Sequence, residues 1–142
     1  MNGCIFCEIL AGRAGASLVY QDEHCAAFLD IQPVTPGHLL VIPRRHAVSL
    51  ADLGEDEGGR VFQAGQRLAG ALRRSGLRCE GVNFFLADGE AAGQEVFHLH
   101  LHVIPRYAGD GFGLRFGPHY PSRPPRADLD ETARKIREAL SY

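Results

Sequence analysis

His98-Leu99-His100-Leu101-His102, inside the longer run Glu95-Val96-Phe97-His98-Leu99-His100-Leu101-His102-Val103-Ile104, alternates imidazoles with apolar side chains. Successive side chains of a β-strand point to opposite faces. The run therefore predicts a strand over 95–104, stopped by Pro105, with His98, His100 and His102 on one face and Phe97, Leu99, Leu101 and Val103 on the other. The apolar row belongs on a core. Thr, Lys or Glu would serve a merely solvated row, so three imidazoles point to chemistry: histidine exchanges protons near neutral pH and can attack phosphorus. A His-rich surface strand and a metal site, with His-x-His offering two ring nitrogens to one ion, are the competing readings. Large hydrolases that place such a pair in a barrel need a longer chain than 142 residues.

Outward from this run, Gly93-Gln94 closes the small, polar loop Ala87-Asp88-Gly89-Glu90-Ala91-Ala92-Gly93. Its glycines allow close backbone approach to a ligand, and Gln94 adds a neutral donor, which suits an anionic, oxygen-rich substrate. Leu18–Gln21 and Cys25–Leu29 read as a hairpin, residues 31–37 as an ordered Pro/Gly turn, residues 38–42 as a strand stopped by Pro43, and residues 82–86 as another strand. Val61, Ala64, Leu68 and Leu72 recur at helical spacing, with Asp52 or Asp56 as cap and Gly76 as terminator. Residues 108–127 are Gly- and Pro-rich and irregular, and residues 128–140 form an amphipathic helix on Leu129, Ala133, Ile136 and Leu140. The order predicts one α+β domain over residues 1–142, with helices on one face of a mainly antiparallel sheet.

Composition narrows the function classes. The 45% apolar and 23% charged fractions are those of a globular protein. No apolar run reaches membrane-spanning length, and the N-terminal residues carry no basic leader or apolar signal core, so a cytoplasmic location is expected. A net charge of −2 argues against a nucleic-acid-binding surface, while a small phosphorylated ligand needs only a few local donors. Four cysteines read as thiols of a reducing compartment, Cys25 and Cys79 as buried core residues. Cys4-x-x-Cys7 can supply two tetrahedral zinc ligands from one turn, or be a pair of inert thiols.

The segment Gly93-Gln94-Glu95-Val96-Phe97-His98-Leu99-His100-Leu101-His102-Val103-Ile104-Pro105-Arg106 resembles the histidine-triad (HIT) family signature. Phe28-Leu29-Asp30-Ile31 with Pro33, and Pro36-Gly37-His38-Leu39-Leu40-Val41-Ile42-Pro43-Arg44-Arg45-His46, are similar to its nucleotide-binding half, so the match spans Cys4 to about Tyr107. The resemblance implies a HIT-like fold of about five antiparallel strands with a central and a C-terminal helix, dimerising into a continuous sheet. It implies a hydrolase or transferase cleaving dinucleoside polyphosphates or nucleotide phosphoramidates at the α-phosphate, with His100 as nucleophile, His102 and Gln94 on the phosphate, and AMP or GMP released. Asp30 would accept from ribose hydroxyls, and Gly93 and Gln94 would face phosphate. Phe6, Ile9, Phe28 and Ile31 either wall the base or are ordinary core.

In bacterial-type members that look like this chain, zinc is held by a Cys-x-x-Cys pair, the His after Pro-Arg-Arg and the first triad His; Cys4, Cys7, His46 and His98 match that set, implying a closed structural Zn2+ site and no organic cofactor. Two departures stand out. Glu95 occupies a position often Ser or Thr, where a carboxylate repels phosphate, and Ala87 one often Asn or Gln, with Asn83 near but not assignable. They keep open a nucleotide-binding or scaffold protein with little catalysis. His38 reads as structural, His24 and His119 as surface residues, and Arg44 and Arg45 as solvated strand ends.

Overall fold

Five short β-prone runs pair into one antiparallel sheet in the computed structural model, which describes residues 3–140. In chain order these are β1 (Leu18–Gln21), β2 (Cys25–Leu29), β3 (Leu39–Pro43), β4 (Gly81–Leu86) and β5 (Leu101–Arg106), and the spatial order is β1-β2-β3-β5-β4. The β1–β2 hairpin turns on Asp22, whose Oδ1 accepts from the backbone N–H of His24 (2.7 Å) and of Cys25 (2.8 Å), an Asx-type closure. Helices are α1 (Ile5–Leu10), α2 (Glu55–Arg74) and α3 (Arg126–Leu140). The chain divides into two compact units at Gly111/Phe112. The second holds α3, of which no residue is buried, and a stacked Phe116–Tyr120 pair.

Strand alternation sorts the first unit into two cores. Cys25, Ala27, Leu39, Val41, Leu101 and Val103 meet Val61, Ala64, Leu68 and Leu72 of α2. Ala26, Phe28, Leu40 and Ile42 point the other way and meet Phe6 and Ile9 of α1. The expectation of helices on one face is thus corrected: α1 covers part of the second face, and β3 is consequently buried along its whole length. Gly65 lets α2 approach the sheet closely, since a Cβ there would sit 3.0 Å from Phe84 Cζ and 3.1 Å from Leu101 Cδ2.

Several boundaries differ from the sequence expectation for identifiable reasons. The N-cap of α2 is Gly54, whose N–H donates to Glu57 Oε1 (3.0 Å), while Asp52 is engaged by Ser49 one turn earlier. Pro43 ends β3 as expected, whereas Pro105 lies inside β5, one residue before its end; the β3–β5 pairing runs only from Val41↔Leu101 to Leu39↔Val103, so neither proline must donate to that ladder. Residues 94–100 lie outside the sheet ladder and bend at 96–98, so the histidine strand begins at Leu101 and not at Glu95. Phe97, expected on the core row, is 48% exposed. Cys25 is fully buried as expected, whereas Cys79 is half-buried with its thiol directed at Gly81 O.

Candidate active site and metal centre

The three histidines stand in three different hydrogen-bond environments. His100, buried against the edge of the Phe6 ring (5.2 Å between centroids), has its Nδ1 2.8 Å from the main-chain oxygen of His98. A carbonyl only accepts, so Nδ1 carries the proton and Nε2 keeps its lone pair. His102 lies one register position beyond, opposite Leu40 and Phe85. Its Nδ1 is 2.8 Å from Nε2 of His38.

A chain of donors settles the second pair. Val34 N–H donates to His38 Nδ1 (3.1 Å), so the His38 proton is on Nε2 and is given to His102 Nδ1. His102 then holds its own proton on Nε2, which makes it a donor. The Asp30 carboxylate, 3.6 Å from His38 Nε2, favours that proton. Burial, then the neighbouring His100 and His38, push His102 from its ordinary 6.5 down to about 4, so both partners are neutral at pH 7. Burial likewise lowers His38, against the pull of Asp30. His38, read from the sequence as structural, immediately precedes β3, and alternation from it through Leu40, the register partner of His102, points to the histidine face.

The other anticipated residues fall into place unevenly. Phe6, Ile9 and Phe28 are buried in the α1-side core, with Phe6 edge-on to Phe28, and Ile31 is 96% exposed. Asp30 is half-buried and accepts from Gln32 N–H through Oδ1. Gly93 adopts φ +92°, but its N–H goes to Glu90 O (2.9 Å) and that of Gln94 to Gly89 O (3.1 Å). The buried Gln94 carboxamide accepts from Gly89 N–H and donates to Val48 O (2.7 Å) and Val96 O (3.1 Å). These groups tie the loop together and are not free phosphate donors. Glu95 is exposed, in a cleft of ≈ 450 Å³ with Val48, Val96 and Phe97. Ala87 is buried, and Asn83 accepts from Arg106. His24 and His119 are exposed, Arg44 is bonded to Asp22 O, and Arg45 to Glu57.

Cys4, Cys7, His46 and His98 converge, with one ligand atom from each within 4.8 Å of all the others. Helix α1 brings the thiols together: Cys4 caps it, with Sγ accepting from Cys7 N–H (3.4 Å). His98, wholly buried, donates Nε2–H to Pro43 O (2.8 Å), which turns its Nδ1 lone pair to Cys4 Sγ (3.5 Å) and Cys7 Sγ (3.6 Å). His46 Nδ1 is 3.3 Å from Cys7 Sγ. Neighbouring sulfur and nitrogen ligands of a tetrahedral zinc ion lie roughly 3.6 Å apart, so the four residues fit that ion. Burial, then the nearby Cys4, hold the Cys7 thiol above its ordinary value, a pressure that a cation relieves.

Comparison with known proteins agrees with this geometry. A family model, HIT domain, matches residues 11–109. The chain is 42% identical over 141 residues to protein hit of Bacillus subtilis, covering 99% of this chain and 96% of that one. Its fold is similar to a zinc-bound histidine triad family protein from Mycobacterium smegmatis (TM-score 0.76, 43% identity, 98% and 94% of the two chains). It is also similar to a histidine triad nucleotide-binding protein from Candida albicans (TM-score 0.85, 26% identity, 98% of both). On its sequence, its sheet and its row of histidines, the chain belongs to the HIT domain family.

Proposed function

We propose that this chain is a nucleotide hydrolase or transferase acting at the α-phosphate of dinucleoside polyphosphates or nucleotide phosphoramidates. The observation that carries this is the His100 Nδ1–H bond to His98 O, which leaves Nε2 as the nitrogen whose lone pair can attack phosphorus. In the first displacement that lone pair forms an N–P bond as the bond from phosphorus to the leaving group breaks; the leaving group departs with the electron pair and is protonated. Water then attacks phosphorus, the N–P bond breaks back to His100, and a nucleoside monophosphate such as AMP or GMP is released. His102, held as an Nε2–H donor by His38, stabilises charge on the phosphoryl oxygens in both steps. Asp30 has acceptor capacity for ribose hydroxyls, and Phe6 keeps the His100 ring in place beside Ile9 and Phe28. Gly93 and Gln94 act as positioning residues of the loop before the nucleophile.

In the same reading Cys4, Cys7, His46 and His98 hold a structural Zn2+, which when bound cross-links α1, the segment after β3 and the segment before β5. Thiol ligands require a reducing compartment, consistent with a cytoplasmic location; among the described residues no helix is long and apolar enough to cross a membrane. Strand β4 is a sheet edge with Phe85 exposed, and Phe62 of α2 packs exposed against Phe84, which suits edge-to-edge pairing of two copies into one continuous sheet.

Incubation with a diadenosine polyphosphate and with an adenosine phosphoramidate, beside His100→Ala, tests the reading. Release of AMP is expected from wild type, with a loss on the order of 10³-fold or more in the variant. Turnover that survives unchanged in His100→Ala removes the nucleophile. A specific observation favours a second reading, a nucleotide-binding protein with little catalysis: the exposed carboxylate of Glu95 stands beside a loop whose donors are internally engaged. AMP binding without turnover of either substrate would establish it.

A further inference from the structure

His98 is where the two clusters meet. Its ring Nδ1 faces Cys4 and Cys7, its Nε2–H is held by Pro43 O, and its main-chain oxygen accepts the Nδ1–H of His100. No strand pairing fixes this residue, because the ladder begins at Leu101. Apart from the ring, the local anchor is Leu99 N–H donating to Ala47 O (2.7 Å), the residue next to His46. The ring at 98 is thus held by Pro43 O and the four-ligand cluster, and the backbone at 99 by the segment that carries His46 and by burial of the Leu99 side chain.

Resting on His100 as nucleophile, we propose that the Cys4–Cys7–His46–His98 cluster is a positioning device for His100. A divalent cation on these four ligands fixes the 98 peptide, and that peptide sets the tautomer and the aim of the His100 ring. The α2-side core contains none of the four ligands, so the sheet and α2 keep their packing when the cluster is empty. Emptying it releases the His100 Nδ1–H bond and lets the ring turn and exchange tautomers.

The test uses the full chain, zinc-loaded, stripped with a chelator, and reloaded. Nitrogen NMR of the His100 ring should show a single Nδ1–H tautomer in the loaded protein and a mixture in the stripped one, with zinc restoring the first. With an adenosine phosphoramidate as substrate, kcat should fall roughly 100-fold on stripping, while AMP affinity changes less than about threefold. Cys7→Ser, which removes one of the four ligands, should give the mixed tautomer and the lowered kcat of the stripped protein. Should the stripped protein unfold, cobalt(II) on the same four ligands reports from the folded state: AMP should shift its visible bands in wild type and not in His100→Ala. A His100 tautomer indifferent to zinc, or cobalt bands indifferent to AMP, overturns the coupling. The two ideas separate cleanly, because a tautomer that follows zinc in a protein turning over neither substrate sinks the nucleophile and not the coupling.

Discussion

Two clusters of ligating side chains lie on either side of His100, and they look alike by composition. Cys4, Cys7, His46 and His98 form one, Asp30, His38 and His102 the other, and in both the candidate ligand atoms lie within 4.8 Å of each other. Their protons distinguish them. In the first, Pro43 O takes the His98 Nε2 proton, so the His98 Nδ1 lone pair faces two thiols whose protons a metal ion would displace. In the second, one proton already lies between His38 and His102, and Val34 N–H occupies the remaining His38 nitrogen. Convergence of ligands does not by itself make a metal centre. What matters is whether the outer hydrogen bonds leave the lone pairs pointing inward.

Metal titration with elemental analysis is the most forceful challenge to that contrast. One equivalent of zinc per chain is expected, lost in Cys4→Ser/Cys7→Ser, with a stability loss of about 4 kcal/mol at a thousandfold excess of zinc over its dissociation constant. Two equivalents would erase the distinction between the clusters. Next in size, His38→Ala strands Val34 N–H and His102 Nδ1, so denaturant unfolding should show a loss of about 2 kcal/mol with zinc content unchanged.

Acid sharpens the comparison further. His102 titrates near 6.5 when unfolded and at about 4 when folded, so below pH 6.5 the unfolded state binds more protons. Its contribution is complete above 6.5 and is lost as pH falls towards 4. After allowing for partial solvent access, stability should drop by about 1 kcal/mol more between pH 7 and 5 in wild type than in His102→Asn. Metal release from the thiol cluster is common to both proteins and cancels. Smallest of all, Arg45→Gln removes the exposed Glu57 pair, and its unfolding midpoint should stay within experimental scatter.

Most of the sheet was legible because its strands obey alternation between two cores, as Cys25–Leu29 and Leu39–Pro43 illustrate. The histidine segment was legible in its facing and not in its pairing. Alternation at 98–102 describes an extended chain, and nothing in it reveals that Pro43, the last residue of β3, offers only a carbonyl, to which the His98 ring donates. Helix α1 escaped notice because its six residues show less than two turns of periodicity, and its cap is the thiol of Cys4. The four-residue Cys/His cluster was recoverable only through family likeness, since His46 and His98 lie far from the Cys pair in sequence. Gln94 shows the limit of carrying roles across: residue type and place match, but the carboxamide is bonded to backbone at Gly89, Val48 and Val96.

Glycine at 65 gives the same substitution opposite signs within one helix. Replacing an interior helical glycine by alanine ordinarily adds about 1 kcal/mol of stability. At Gly59 no atom lies within 4 Å of the added methyl, and that gain should be realised. At Gly65 the methyl would press on Phe84 and on Leu101, the residue between His100 and His102. The lateral clearance between α2 and the sheet thus sets the seat of the histidine pair. A helix-stabilising scan of this protein should find its most harmful position on the face turned away from the imidazoles.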